Sequence, residues 1–211
     1  MNNIKIITFF ILIFTLGCTS SPEIQLNSLH ESSVILAFGD SLTEGVGATS
    51  NATYPKILEK LVDINVINSG KSGEITQQGL ARLPGVLRTV NPDLVILMHG
   101  GNDFLRKQNS QITRENLIHM IEVIQSHGAS VILVAVPKPG LFLSDHPLYQ
   151  QVAESTQIPL VENIMSEILS DSKLKSDQIH PNSKGYKLFA ETIAKHLQRY
   201  GALGPNSPEL D

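Results

Sequence analysis

The chain of 211 residues carries a single cysteine, Cys18, so no intramolecular disulfide can form and an exported domain would have to rely on its core. Basic residues form no cluster and the net charge is -4, which argues against nucleic acid as a partner. Tryptophan is absent, leaving no indole face on which a sugar could stack. No repeat or low-complexity tract appears. The seven histidines show no ligand spacing such as H-E-x-x-H, and no glycine-rich phosphate loop follows the first apolar run of the body. A metal enzyme and a mononucleotide binder are therefore disfavoured, and no metal or other cofactor is expected.

Long apolar runs are also missing. The longest, Ile6 to Leu16, has eleven uncharged and mostly apolar residues, preceded by Lys5 and followed by Gly17. A membrane-spanning helix needs about 20, whereas a run of this length suits the core of an export signal. Residues 1–17 are read as that signal. Cys18 stands directly after it in Thr15-Leu16-Gly17-Cys18, which resembles the processing site of bacterial lipoproteins, where the cysteine becomes a lipid-modified N-terminus. The alternative is an ordinary secreted protein with one incidental thiol. Lipidation would give a periplasmic or envelope location, with stable anchoring through several acyl chains. Residues 18–33, polar and with Ser20, Ser21 and Pro22 near their start, read as a tether. Residues 34–200 form the expected domain and 201–211 a tail.

Within the domain, short apolar runs alternate with helical patterns. Val34–Phe38, Val66–Asn68, Leu94–Met98, Val131–Val136 and Leu160–Val161 are candidate strands, and their continuous hydrophobicity points to a sheet covered on both faces. Helical periodicity is clearest where Tyr186, Phe189, Ala190, Ile193, Ala194 and Leu197 recur at steps of three and four, after a start marked by Pro181 and Asn182. A second helix spans roughly Arg114 to Ser126 and stops near Gly128. This alternation implies a three-layer α/β/α domain built on a parallel sheet of about five strands. In the common strand order 2-1-3-4-5, the residues following the second and third strands flank those following the first, at the point where ligands bind.

Chemistry-bearing residues fall at those places. Ser41, in Gly39-Asp40-Ser41-Leu42, follows the first strand; Gly73 follows the second; Asn102, in Gly100-Gly101-Asn102-Asp103, follows the third. Farther on, Asp177-Gln178-Ile179-His180 offers an imidazole and a carboxylate three residues apart. A serine hydroxyl is a poor nucleophile unless a base reaches it and a third group orients the base. His180 is the candidate base and Asp177 its orienting partner. Charge developing on an acyl oxygen needs donors already in place, and the backbone N–H groups of Ser41 and Gly73 with the Asn102 amide are candidates. Each segment by itself has a bland reading as a turn or a loop end before a helix. Their joint occurrence, in order and after the right strands, favours acyl hydrolysis.

These four blocks resemble those of the SGNH, or GDSL-type, hydrolases, with Ser41, Gly73, Asn102 and His180 in the naming positions and Gly45 also as the first block expects. The resemblance covers about Val34 to Leu197. Gln77-Gln78-Gly79-Leu80-Ala81-Arg82-Leu83-Pro84 is similar to the thioesterase I/lysophospholipase L1 and arylesterase branch. It implies a flavodoxin-like α/β/α sandwich, no metal, and hydrolysis of esters or thioesters through an acyl-enzyme. Ser41 is then the nucleophile, Asp177 and His180 its partners, and Ser41, Gly73 and Asn102 the oxyanion hole.

Pro137-Lys138-Pro139-Gly140-Leu141-Phe142-Leu143 departs from the more polar segment expected in that branch. Leu141, Phe142 and Leu143 either line an acyl pocket or pack a loop on the core. His99 either faces the pocket or sits satisfied in the core. Small esters or lipids are the expected substrates. Removal of acetyl groups from an envelope polysaccharide is a second enzymatic reading, and a non-catalytic envelope lipoprotein a third.

Overall fold

The computed structural model describes residues 24–140 and 143–204. Cys18, the export signal and the first part of the tether lie outside them, as do Leu141, Phe142 and most of the expected tail. Among the described residues no helix is long and apolar enough to cross a membrane.

Five strands follow the apolar runs: β1 (Val34–Gly39), β2 (Asn65–Gly70), β3 (Leu94–Met98), β4 (Ser130–Val134) and β5 (Leu160–Val161). They form one sheet in the order β2-β1-β3-β4-β5, all parallel. This is the expected topology. β3 is buried at every position, and β1 at all but Val34, because helices cover both faces. β2 is an edge strand with mixed burial, which explains why its apolar run is short.

Between and after the strands lie α1 (Ser41–Glu44), a 3-10 turn (Ser50–Ala52), α2 (Tyr54–Val62), α3 (Thr76–Val90), α4 (Gly101–Leu105), α5 (Ser110–Ser126), α6 (Leu148–Thr156), α7 (Ile164–Ser170) and α8 (Ser183–Arg199). α3 packs on α5 and α5 on α6; α2 and α7 pack on α8. α8 starts where Asn182 accepts hydrogen bonds from the Lys184 and Gly185 N–H groups, 2.9 and 3.2 Å. Its six stripe residues are fully buried, and the Phe189 ring meets Tyr54 edge-on with centroids 4.6 Å apart. Full burial of such a side chain stabilises by about 1.5–3 kcal/mol. α5 begins four residues earlier than its apolar pattern suggests, because the Asn109 side chain caps it through the Gln111 N–H at 2.9 Å.

Two boundaries need correction. Residues 24–33, expected within the tether, lie on the body: Leu26 and Leu29 are buried, and their N–H groups donate to the carbonyls of Tyr200 and Ala202, each at 2.8 Å. At the other end Ala202 and Leu203, expected in the tail, are buried too. Neither segment carries a helical or strand period, and the few apolar residues that hold them acquire partners only when the two ends of the domain meet.

Candidate active site

The carboxyl ends of β1, β2 and β3 bring together what the chain keeps apart. Gly39 closes β1, and a Cβ there would stand 2.1 Å from the Met98 carbonyl on the neighbouring strand, so only glycine lets the turn run this close. The turn continues into α1, where Asp40 accepts the Leu42 N–H at 3.1 Å and leaves Ser41 at the first helical position. From the far end of the domain, the loop before α8 carries His180 across to it. His180 Nε2 lies 3.1 Å from Ser41 Oγ, and Nδ1 lies 2.8 Å from Asp177 Oδ2. The second oxygen of Asp177 accepts the N–H groups of Ile179 and His180 at 2.8 and 2.9 Å, which locks the three-residue loop.

These distances assign the protons. A carboxylate facing Nδ1 requires a hydrogen there, so Nε2 is left as the acceptor for the serine hydroxyl. Burial nudges the Asp177 carboxyl up, but hydrogen bonds from the His180 ring and the two backbone N–H groups outweigh it and hold the group below its ordinary 3.8. Asp177 is therefore ionised at neutral pH.

Gly73 follows β2 with φ +74°, a left-handed conformation that suits glycine. Its N–H and that of Ser41 have no acceptor among the described residues. Asn102 sits in α4 with its amide in use: Nδ2 donates to Asp40 Oδ2 and to the Glu74 carbonyl, both at 3.2 Å. Both amide hydrogens are thus held by long bonds, which orient the group and can be shared with an incoming oxyanion. Burial pushes the Asp40 carboxyl above its ordinary value, against hydrogen bonds from Leu42 and Asn102 and the nearby imidazoles.

A cavity of about 610 Å³ opens beside Ser41 and Asn102. Its lining mixes apolar side chains, among them Leu105, Val136, Pro139, Leu143, Leu169 and Ile179, with the polar Ser170, Lys175 and Gln178. Leu105 and Ile179 remain 45% and 40% exposed, carrying the apolar lining out to the surface. Leu143 thus lines the cavity, while Leu141 and Phe142 lie outside the described residues.

His99 is in the core, fully buried. The Gly100 N–H donates to Nδ1 at 3.1 Å, so Nε2 carries the hydrogen and faces Glu74 Oε2 at 3.3 Å. Glu74 was not apparent as a site residue from sequence. Its carboxylate also binds Arg82 through Nε at 2.9 Å and Nη2 at 2.7 Å, and Arg82 lies over the Phe38 ring with its guanidinium carbon 4.2 Å from the centroid. Glu74 and Arg82 are eight residues apart across the start of α3, a spacing with no local meaning. The network braces the backbone between Gly73 and Asn102.

Burial alone would raise the Glu74 carboxyl, but hydrogen bonds from His99 and Arg82, together with the arginine charge, hold it down at about 2. A carboxyl lowered by folding adds stability that is complete above its unfolded value of 4.5 and is lost as pH falls towards 2. The difference corresponds to on the order of 3 kcal/mol. Glu74→Gln should therefore lower Tm clearly at pH 6, and the gap from wild type should close as thermal unfolding is repeated down to pH 2.5. A gap independent of pH would show that the ionised carboxylate is not what stabilises.

The GDSL-like Lipase/Acylhydrolase family matches residues 37–188. An arylesterase of Vibrio mimicus is 31% identical over 177 residues, covering 79% of this chain and 88% of that protein. The thioesterase 1/protease 1/lysophospholipase L1 of Escherichia coli K12 is 31% identical over 172 residues, covering 78% and 83%. Among solved structures, the psychrotrophic esterase EstA from Pseudoalteromonas sp., inhibited by monoethylphosphonate, superposes with a TM-score of 0.73 at 26% identity, covering 80% of this chain and 98% of that one. With the family's span containing Ser41, Gly73, Asn102, Asp177 and His180 on the expected sheet, the chain belongs to the GDSL-like lipase/acylhydrolase family.

Proposed function

We propose that this protein is a serine esterase that cleaves carboxylic esters or thioesters through an acyl-enzyme. The observation that carries the proposal is the imidazole of His180, within hydrogen-bonding distance of both Asp177 and a serine 139 residues away in the chain, beside a cavity partly lined by apolar side chains. His180 takes the proton of Ser41 as the hydroxyl attacks the acyl carbon, then gives it to the leaving group. Water repeats the sequence to release the acid. Asp177 keeps the proton of His180 on Nδ1 and offsets the charge of the transient imidazolium.

The oxyanion is received by the two unused N–H groups, of Ser41 and Gly73, and by the Asn102 amide. Asn102→Ala removes one of these three donors and should lower kcat by about 10²–10³, or 2.7–4 kcal/mol of barrier, with little change in KM. An unchanged kcat on p-nitrophenyl acetate would remove Asn102 from the oxyanion hole.

The apolar part of the lining, which continues to the exposed Leu105 and Ile179, favours acyl or aryl groups over sugars. The relatives named arylesterase and lysophospholipase support the same substrate class. Aryl esters, acyl thioesters, lysophospholipids and acetylated glycans assayed side by side test this directly. Turnover confined to the acetylated glycans would reverse the assignment.

We also propose an exported, lipid-anchored form, from the resemblance of the segment around Cys18 to lipoprotein processing sites. Mass spectrometry of the mature N-terminus decides it. An unmodified Cys18, or cleavage elsewhere, removes the anchor.

A further inference from the structure

The segment between β4 and α6 forms one wall of the cavity, contributing Val136, Pro137, Pro139, Gly140 and Leu143. Its two arms are joined to each other by an antiparallel bridge between Pro137 and Asp145, by the Lys138 N–H to the Ser144 carbonyl at 3.2 Å, and by the His146 N–H to the Val136 carbonyl at 3.2 Å. These bonds shape the segment without fixing where it stands against the opposite wall. Two side chains at its base do that.

Asp145 Oδ2 accepts the Asn163 N–H at 2.5 Å, and Oδ1 accepts the Ser166 hydroxyl at 2.6 Å. Asn163 stands just before α7 with φ +65°, and its own side chain makes no capping bond, so Asp145 acts as a cap supplied from another part of the chain. On the other side, His146 stacks on Phe104 with ring centroids 4.5 Å apart and planes 8° from parallel, two residues beyond Asn102. The last residues of α7, Leu169 and Ser170, line the cavity themselves, and Lys175 Nζ ties Leu169 to the loop that carries Asp177 and His180 through its carbonyl at 2.7 Å. The bonds of Asp145 therefore set the spacing between Pro139 and Leu143 on one side and Leu169 on the other.

We propose that Asp145 is a positioning residue for acyl-chain preference, holding the apolar wall formed by Val136, Pro137, Pro139 and Leu143 at the distance from α7 that grips an extended acyl chain. The inference rests on the reading of this cavity as the acyl site. Asp145 makes no hydrogen bond to Ser41, Asn102, Asp177 or His180, and it does not line the cavity. An acetyl group occupies only the space next to Ser41, so its turnover does not depend on the far walls. A chain of eight carbons runs between them, and each methylene gripped there improves binding.

The experiment compares p-nitrophenyl acetate with p-nitrophenyl octanoate for Asp145→Ala and Asp145→Asn. In Asp145→Ala the octanoate-to-acetate ratio of kcat/KM should fall by about tenfold or more, through a higher KM for octanoate, with acetate kcat within about twofold of wild type. Asp145→Asn keeps one acceptor oxygen and should fall between. Ser166→Ala removes one of the two bonds from the other side and should move the ratio in the same direction, which keeps the test open if an Asp145 variant fails to fold. An unmoved ratio, or an equal loss on both esters, overturns the clamp. Failure of the hydrolase reading looks different: wild-type turnover of both esters would then survive Ser41→Ala.

Discussion

Ser41→Ala should lose hydrolysis of p-nitrophenyl esters, with kcat lower by a factor approaching 10⁶, while circular dichroism and Tm remain those of the wild type. The magnitude follows from the chemistry: without the hydroxyl there is no acyl-enzyme, and what remains is whatever the oxyanion donors do for direct attack by water. The fold should survive because Ser41 Oγ has one hydrogen bond among the described residues, to His180, and the turn is held by other atoms. Asp40 caps the start of α1, and Gly45, with φ +98°, ends it. Wild-type turnover in the variant would reject Ser41 as the nucleophile and leave the cavity without an attacking group.

Asp177→Asn should lower kcat by up to about 10⁴-fold with KM nearly unchanged. An amide in that place can present its NH2 group to Nδ1, which draws the imidazole into the tautomer with its hydrogen on Nε2, unable to accept from Ser41. The side chain is 53% exposed, so water competes for the same contact and can soften the loss. The pH dependence separates this role from a general disturbance. Wild-type kcat/KM should be lost in acid, because only a neutral imidazole can take the serine proton. The Asp177 carboxyl, held below its ordinary value by its hydrogen bonds, stays ionised at neutral pH. Activity that does not fall in acid would mean that no imidazole controls the reaction.

Much of the fold could be read before any coordinates. Strand positions followed from continuous apolar runs, and the order β2-β1-β3-β4-β5 is the common one for such alternating α/β domains, which the sequence pattern by itself does not dictate. Residues 24–33 were harder, since two leucines among polar neighbours look like a linker until the end of α8 is there to receive them. Glu74 escaped notice for a related reason. Its partners His99 and Arg82 lie 25 and 8 residues away, and nothing in the local pattern distinguishes it from a solvated glutamate in a turn.

Residue types, their order in the chain and the resemblance to SGNH hydrolases picked out Ser41, Gly73, Asn102, Asp177 and His180 as candidates, because nucleophile, base and oxyanion donors each require particular functional groups and the ends of strands are where ligands bind. Tertiary structure alone decided the rest. The 3.1 Å approach of His180 to Ser41, the commitment of the Asn102 amide to Asp40 and Glu74, and the apolar walls that Asp145 holds apart all depend on contacts between segments far apart in the chain. Local patterns encode period and turn chemistry, whereas side-chain distances across a cavity arise from how whole layers pack.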